Sequence, residues 1–131
     1  MQNPKFVEKE DVLSIHDKQL RLYGGLPGIR DEGSLESAIS APQATFGGEF
    51  LYPTIVEQAA TYLFNINKNH AFIDGNKRVS FAVMVTFLNM NDYKINKEGK
   101  EAEELTIQVA DNKVNKQELI EILKDCITEL F

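Results

Sequence analysis

The sequence predicts an all-α domain, and three observations carry that expectation. Apolar residues recur at helical spacing, most clearly Ile55, Ala59, Tyr62, Leu63 and Ile66. The run from Val79 to Leu88 is apolar around nearly the whole circumference of a helix, the pattern of a buried central helix. Turn-forming residues at Gly24-Gly25, Pro27-Gly28 and Pro42 separate the periodic segments.

The elements follow in order. Glu8 to Tyr23 reads as a first helix with Val12, Ile15, Gln19 and Leu22 near one face, stopped by the paired glycines. Leu26 to Gly33 is a structured loop. A short helix from Ser34 to Ser40 follows, with a serine cap and Leu35, Ala38 and Ile39 facing inward. Thr45 to Leu51 sets a glycine pair between Phe46 and Phe50, and two readings stand level: a β-hairpin, or an irregular loop anchored by two aromatics. Long helices are expected from Thr54 to about Asn67–Asn69 and from Asn76 to about Asn89. Tyr93 to Ile95 is a short extended stretch, and Lys100 to Val109 a further helix. The last helix begins at Asn115 with Glu118 three residues on, a capping-box start. Its apolar stripe takes in Leu119, Ile122, Leu123, Cys126, Ile127 and Leu130, with Cys126 as a small core residue rather than a nucleophile. No repeat or linker divides residues 1–131, so one domain is expected.

Composition narrows the function classes. With 43% hydrophobic and 26% charged residues, the chain belongs among soluble globular proteins rather than disordered ones. The net charge of −6 suits non-specific nucleic-acid binding poorly, so no nucleic-acid partner is expected. The longest apolar run is too short to span a bilayer, so no membrane role is expected either. The segment from Met1 to Glu10 lacks the apolar core of an export signal, and the single cysteine excludes an internal disulfide; both point to the cytoplasm. His16, His70 and Cys126 are too few and too scattered for a zinc site, which leaves oxygen ligands and Mg²⁺ as the expected metal chemistry.

The chemistry concentrates in the loop His70-Ala71-Phe72-Ile73-Asp74-Gly75-Asn76-Lys77-Arg78, between the two strongest helices. Phe72 and Ile73 would tie the loop to the core. Gly75 permits a backbone conformation that a side chain obstructs. Asn76 to Arg78 open the next helix, whose free N–H groups and dipole favour phosphate. Lys77 and Arg78 add charge, and Arg can grip two phosphate oxygens. Asp74 is placed to hold Mg²⁺ against phosphates. His70, at the entrance, can take a proton from an incoming hydroxyl. Each residue alone has an ordinary explanation as cap, turn or solvated charge. Their combination ahead of an apolar helix does not.

This loop resembles the signature of the Fic/Doc superfamily: His, any residue, Phe, any residue, Asp/Glu/Asn, Gly/Ala, Asn, Gly/Lys, Arg. Lys77 stands where the Fic branch has glycine, as in the death-on-curing (Doc) branch of toxins from toxin–antitoxin modules. Ile15-His16-Asp17 and Tyr23 to Gly33 also resemble the opening of Doc-type chains, so the likeness spans about residues 5–90. It implies a compact helical bundle around a central helical hairpin with a small hairpin-like flap. It also implies His70 as general base, Asp74 on Mg²⁺, and Gly75, Asn76, Lys77 and Arg78 on the phosphates of ATP. Phe46, Gly47, Gly48, Glu49 and Phe50 would form the flap that docks a target polypeptide by edge pairing. Lysine in place of glycine implies a reversed nucleotide and transfer of the γ-phosphate rather than AMP. The acceptor implied is a threonine of elongation factor Tu, whose modification halts translation. Thr45 and Glu49 have the spacing of the superfamily's inhibitory helix, but Phe50 follows and no such helix is credible. The implied restraint is therefore a separate antitoxin whose disordered C-terminal segment folds into a groove as it binds.

Three rivals remain: an AMP transferase, which Lys77 opposes; a degenerate nucleotide-binding module, which the intact His70, Asp74, Asn76 and Arg78 oppose; and a ribonuclease, which the acidic charge opposes. Lys68 is expected as a solvated helix end, Arg30 and Asp31 in structural ion pairing, and His16 and Asp17 in packing or hydrogen bonding.

Overall fold

The computed structural model describes residues 3–130. In chain order its elements are α1 (Lys9–Tyr23), α2 (Glu32–Ser40), a 3-10 turn (Ala41–Gln43), β1 (Thr45–Phe46), β2 (Glu49–Phe50), α3 (Ile55–Asn69), α4 (Asn76–Met90), β3 (Tyr93–Ile95), α5 (Lys100–Ala110), α6 (Lys116–Lys124) and β4 (Ile127–Glu129). The expected all-α architecture holds. α3 and α4 form a central antiparallel hairpin; α2, the 3-10 turn and α6 pack on α3, and α1 and β3 pack on α4. α5 touches both central helices. No described helix is long and apolar enough to cross a membrane.

Local chemistry sets the helix ends. Thr54 caps α3, accepting from the Glu57 N–H and donating its hydroxyl to the Glu57 carboxylate at 2.7 Å. Asn115 and Glu118 close the expected capping box on α6. The short second helix starts earlier than its serine suggested: Asp31 caps it, accepting from Ser34 N–H at 3.0 Å. A carboxylate receives a helix-end N–H more strongly than a hydroxyl does, and those amides hold Asp31 below its usual pKa.

The core gathers Leu35, Leu63, Ile66, Val83, Met84, Phe87, Leu119 and Leu123 into one cluster. Tyr62 is fully buried within it, and burial pushes its phenol well above the usual range. The hydroxyl accepts from Val7 N–H at 2.9 Å and donates to Val7 C=O at 3.1 Å, which pins the N-terminal segment to α3. Tyr62→Phe strands both backbone groups in a dry site. It is expected to cost about 1–3 kcal/mol in urea denaturation; unchanged stability would refute this pairing.

The structure corrects two expectations and decides a third that stood open. α6 ends at Lys124, so Cys126, Ile127 and Leu130 do not continue its stripe. The chain turns and Ile127–Glu129 pairs antiparallel with Tyr93–Ile95, Ile95 opposite Ile127, satisfying a strand edge that would otherwise stand open. Cys126 is half-buried and Leu130 exposed. In α1 the buried residues are Val12 and His16, while Leu22 is 60% exposed. Of the two readings for Thr45 to Leu51, the hairpin is the observed one. Thr45 pairs with Phe50 and Phe46 with Glu49 around Gly47 and Gly48, both at positive φ as a two-residue turn demands. Phe50 packs edge-on against Phe6, whereas Phe46 is 84% exposed.

Candidate functional site

A cleft of about 710 Å³ opens where α1, the loop between α3 and α4, the start of α4, and α5 meet. His70, Asp74, Gly75, Asn76, Lys77 and Arg78 all line it, so the loop residues singled out from sequence converge on one cavity. None of the flap residues Phe46 to Phe50 reaches that lining. Tyr23, Glu98 and Glu103 do. Tyr23 opens the stretch that resembles Doc-type chains, whereas Glu98 and Glu103 carry no motif and reach the wall only through the packing of α5 and the turn before it.

His70 ends α3 in the left-handed conformation, φ 47° and ψ 46°. This is an uncommon backbone state for a residue with a side chain, and such strain concentrates at functional sites. The fold holds it there from outside. Arg30 donates Nε–H to the His70 carbonyl at 2.7 Å and its terminal N–H to the Asn69 carbonyl at 3.3 Å, closing the helix end. Arg30 thus acts as a C-terminal cap rather than in the expected ion pair.

Gly75 follows the loop at φ 79° and is the N-cap of α4, with no side-chain cap bond. The first-turn N–H groups of α4 are therefore left for a ligand, at the positive end of the helix dipole. Lys77 and Arg78 are exposed beside them. Arg78 lies over the Tyr23 ring, 5.0 Å from its centroid, an attraction that holds its charge at the cleft. The Asn76 side chain is occupied elsewhere: its Oδ1 accepts from Phe72 N–H at 3.0 Å and its Nδ2 donates to Phe72 C=O at 2.9 Å. That bond uses one of the two Nδ2 protons, so the other and the backbone N–H are not engaged by it.

Asp74 keeps its carboxylate in the cleft. Leu26 N–H at 3.1 Å and Gly75 N–H at 2.8 Å each donate to one oxygen. Those two amides, with the Arg78 charge behind them, hold its pKa below the usual carboxylate range. A carboxylate fixed in its ionised form, with one lone pair taken on each oxygen, suits Mg²⁺. No group of three metal-ligating side chains occurs among the described residues. Asp74 would hold a Mg²⁺ ion, which ordinarily takes one or two carboxylates and completes its shell with phosphate and water.

The N-terminal third forms the cradle of this loop. Ile29 bridges Phe72, Ile73 N–H donates to Gly28 C=O at 3.1 Å, and Arg30 N–H donates to Ala71 C=O at 2.7 Å. Gly25 and Gly28, at φ 124° and 117°, sit hard against the loop. A Cβ on Gly25 would lie 2.9 Å from Asp74 Oδ2, and one on Gly28 would lie 2.8 Å from the Ile73 side chain. Phe72 is buried as expected, but Ile73 is 52% exposed and does not anchor the loop to the core. Its backbone carries that contact instead. Lys68, expected in solvent, donates to Asn112 Oδ1 and ties α3 to the turn after α5. His16 is buried and hydrogen-bonded, as expected, whereas Asp17 pairs with Arg21 on the surface.

Comparison with known proteins agrees with this geometry. Residues 6–88 match the model of the Fic/DOC family, which covers α1 to α3, the whole loop and all but the end of α4. The chain is 37% identical over 91 residues to Toxin Doc of Mycolicibacterium smegmatis, covering 70% of this chain and 68% of that protein. It is 29% identical over 120 residues to Protein kinase doc of Escherichia phage P1, covering 92% and 94% respectively. With the family model matched over more than half of the chain's length and one relative 37% identical, the chain belongs to the Fic/DOC family, on its Doc branch.

Proposed function

We propose that this chain is a Doc-type toxin that transfers the γ-phosphate of ATP to a serine or threonine hydroxyl of a target protein. The observation that carries the reading is Lys77. It stands between Asn76 and Arg78 on the uncapped start of α4, in the cleft that His70 also lines. A long cationic side chain there takes space and adds charge where a glycine would leave room for phosphate. The relative from phage P1, named a protein kinase, supports the same chemistry.

In this reading His70 accepts the proton of the acceptor hydroxyl as its oxygen attacks the γ-phosphorus. The bond from that phosphorus to the β–γ bridging oxygen breaks, and ADP leaves. Lys77, Arg78 and the first-turn N–H groups of α4 hold the phosphates in line and offset their charge. Asp74 would hold Mg²⁺, which neutralises charge on the phosphate oxygens when bound. The exposed edge of the Thr45–Phe50 hairpin would dock the target as an added strand. The expected target is elongation factor Tu, the expected restraint an antitoxin whose disordered segment folds onto the toxin, and the expected compartment the cytoplasm.

The test uses ATP labelled separately at its α and γ positions, with purified elongation factor Tu and Mg²⁺. Label should appear on the target from the γ position only. Label from the α position would replace this reading with AMP transfer. Label from neither, with ATP still bound, would point to a non-catalytic nucleotide-binding module.

A further inference from the structure

We propose that His16 is a positioning residue of the catalytic loop, acting through the peptide that joins Asp74 to Gly75; its effect on turnover rests on the transferase reading above. His16 lies on α1, 58 residues before Asp74 in sequence, and is 5% exposed. Its Nε2 is 2.8 Å from the Asp74 carbonyl oxygen. A carbonyl can only accept, so Nε2 must carry the proton. The ring stacks on Phe72 with centroids 3.8 Å apart and planes within 11°, which fixes the direction in which that N–H points.

The need for such a bond follows from Gly75. Glycine adopts φ of either sign at little cost, so nothing intrinsic to residue 75 chooses between two orientations of the preceding peptide. In the observed one the Asp74 carbonyl faces His16 and the Gly75 N–H faces the Asp74 carboxylate. Rotating that peptide by half a turn would break both bonds. The Asp74 carboxylate would lose one of the two amides that hold it in place. The N-cap of α4 would lose its fixed approach to the helix, and with it the placement of the first-turn N–H groups. His16 therefore selects the orientation in which carboxylate and helix start are both presented to the cleft. It reaches that cleft through Asp74 and Gly75 and is not among the residues that line it.

The experiment has two parts. Long-range ¹H–¹⁵N correlation on the histidine rings of the native protein should show His16 protonated at Nε2; an unprotonated Nε2 overturns the proposal without any reference to activity. His16→Phe keeps the stack on Phe72 and removes the donor, while His16→Gln returns an N–H at the same reach. Relative to native protein, His16→Phe is expected to lower kcat by about 10- to 100-fold. The Gly75 amide signal should shift and KM for the acceptor protein should hold. His16→Gln should recover much of that loss. Native kcat in His16→Phe, or equal loss in both variants with an unmoved Gly75 signal, overturns the proposal. If the native protein transfers AMP instead of phosphate, the same series is read on that reaction, so the two readings fail separately.

Discussion

His70→Ala is expected to lower group transfer by about 10²- to 10⁴-fold, the range that removal of a general base produces. The fold should survive the change. His70 is exposed at the end of α3, and the Arg30 bonds that close this end go to backbone carbonyls that alanine retains. Its left-handed backbone remains occupied by a residue with a Cβ, so the strain there is little altered. Thermal melting should therefore stay close to that of the native chain while labelled phosphate on the target disappears. Transfer within a few-fold of native would remove His70 from the mechanism. ATP binding should persist, because the part of the loop proposed to hold phosphate begins beyond it.

Phe72→Ala is expected to have the largest effect on stability, about 3–5 kcal/mol for an aromatic truncated in a packed interior. That is a large share of the 5–15 kcal/mol typical of a whole domain. Phe72 is 1% exposed, stacks on His16, and carries on its backbone the Ile29 bridge and both Asn76 side-chain bonds. Removing the ring opens a cavity beneath the loop from His70 to Arg78 and releases the imidazole that faces Asp74. Urea denaturation should show the midpoint falling. Activity should fall even at low temperature, where the protein remains folded. A variant with native stability would show that the ring's packing is dispensable.

The sequence and the structure agree best where the signal is local. α3 and α4 repeat apolar residues at helical spacing, and both form with nearly the expected bounds. The cleft residues from Asp74 to Arg78 were legible for a related reason: they are contiguous, so one helix start presents them together. What escaped depends on distant partners. Ile127 continues a helical stripe by spacing, yet it pairs with Ile95 across the chain. Ile73 is apolar, yet it lies outward because Gly28 takes hold of its backbone. Asn76 reads as a phosphate ligand, and spacing alone gives no sign that its amide also bonds both backbone groups of Phe72. Arg30 offers no hint in sequence that its partners are the carbonyls that end α3.

The close seating of Gly25 and Gly28 against Asp74 and Ile73 bears on how intact sites are recognised across genomes. A search that scores only the stretch from His70 to Arg78 would accept a chain whose alanine at 25 pushes Asp74 out of line. Such a chain would keep every residue of the motif and lose the shape that makes them work together. In this chain, competence is expected to belong to a pairing of two sequence windows, and decay of the earlier one would silence a gene whose signature still looks whole.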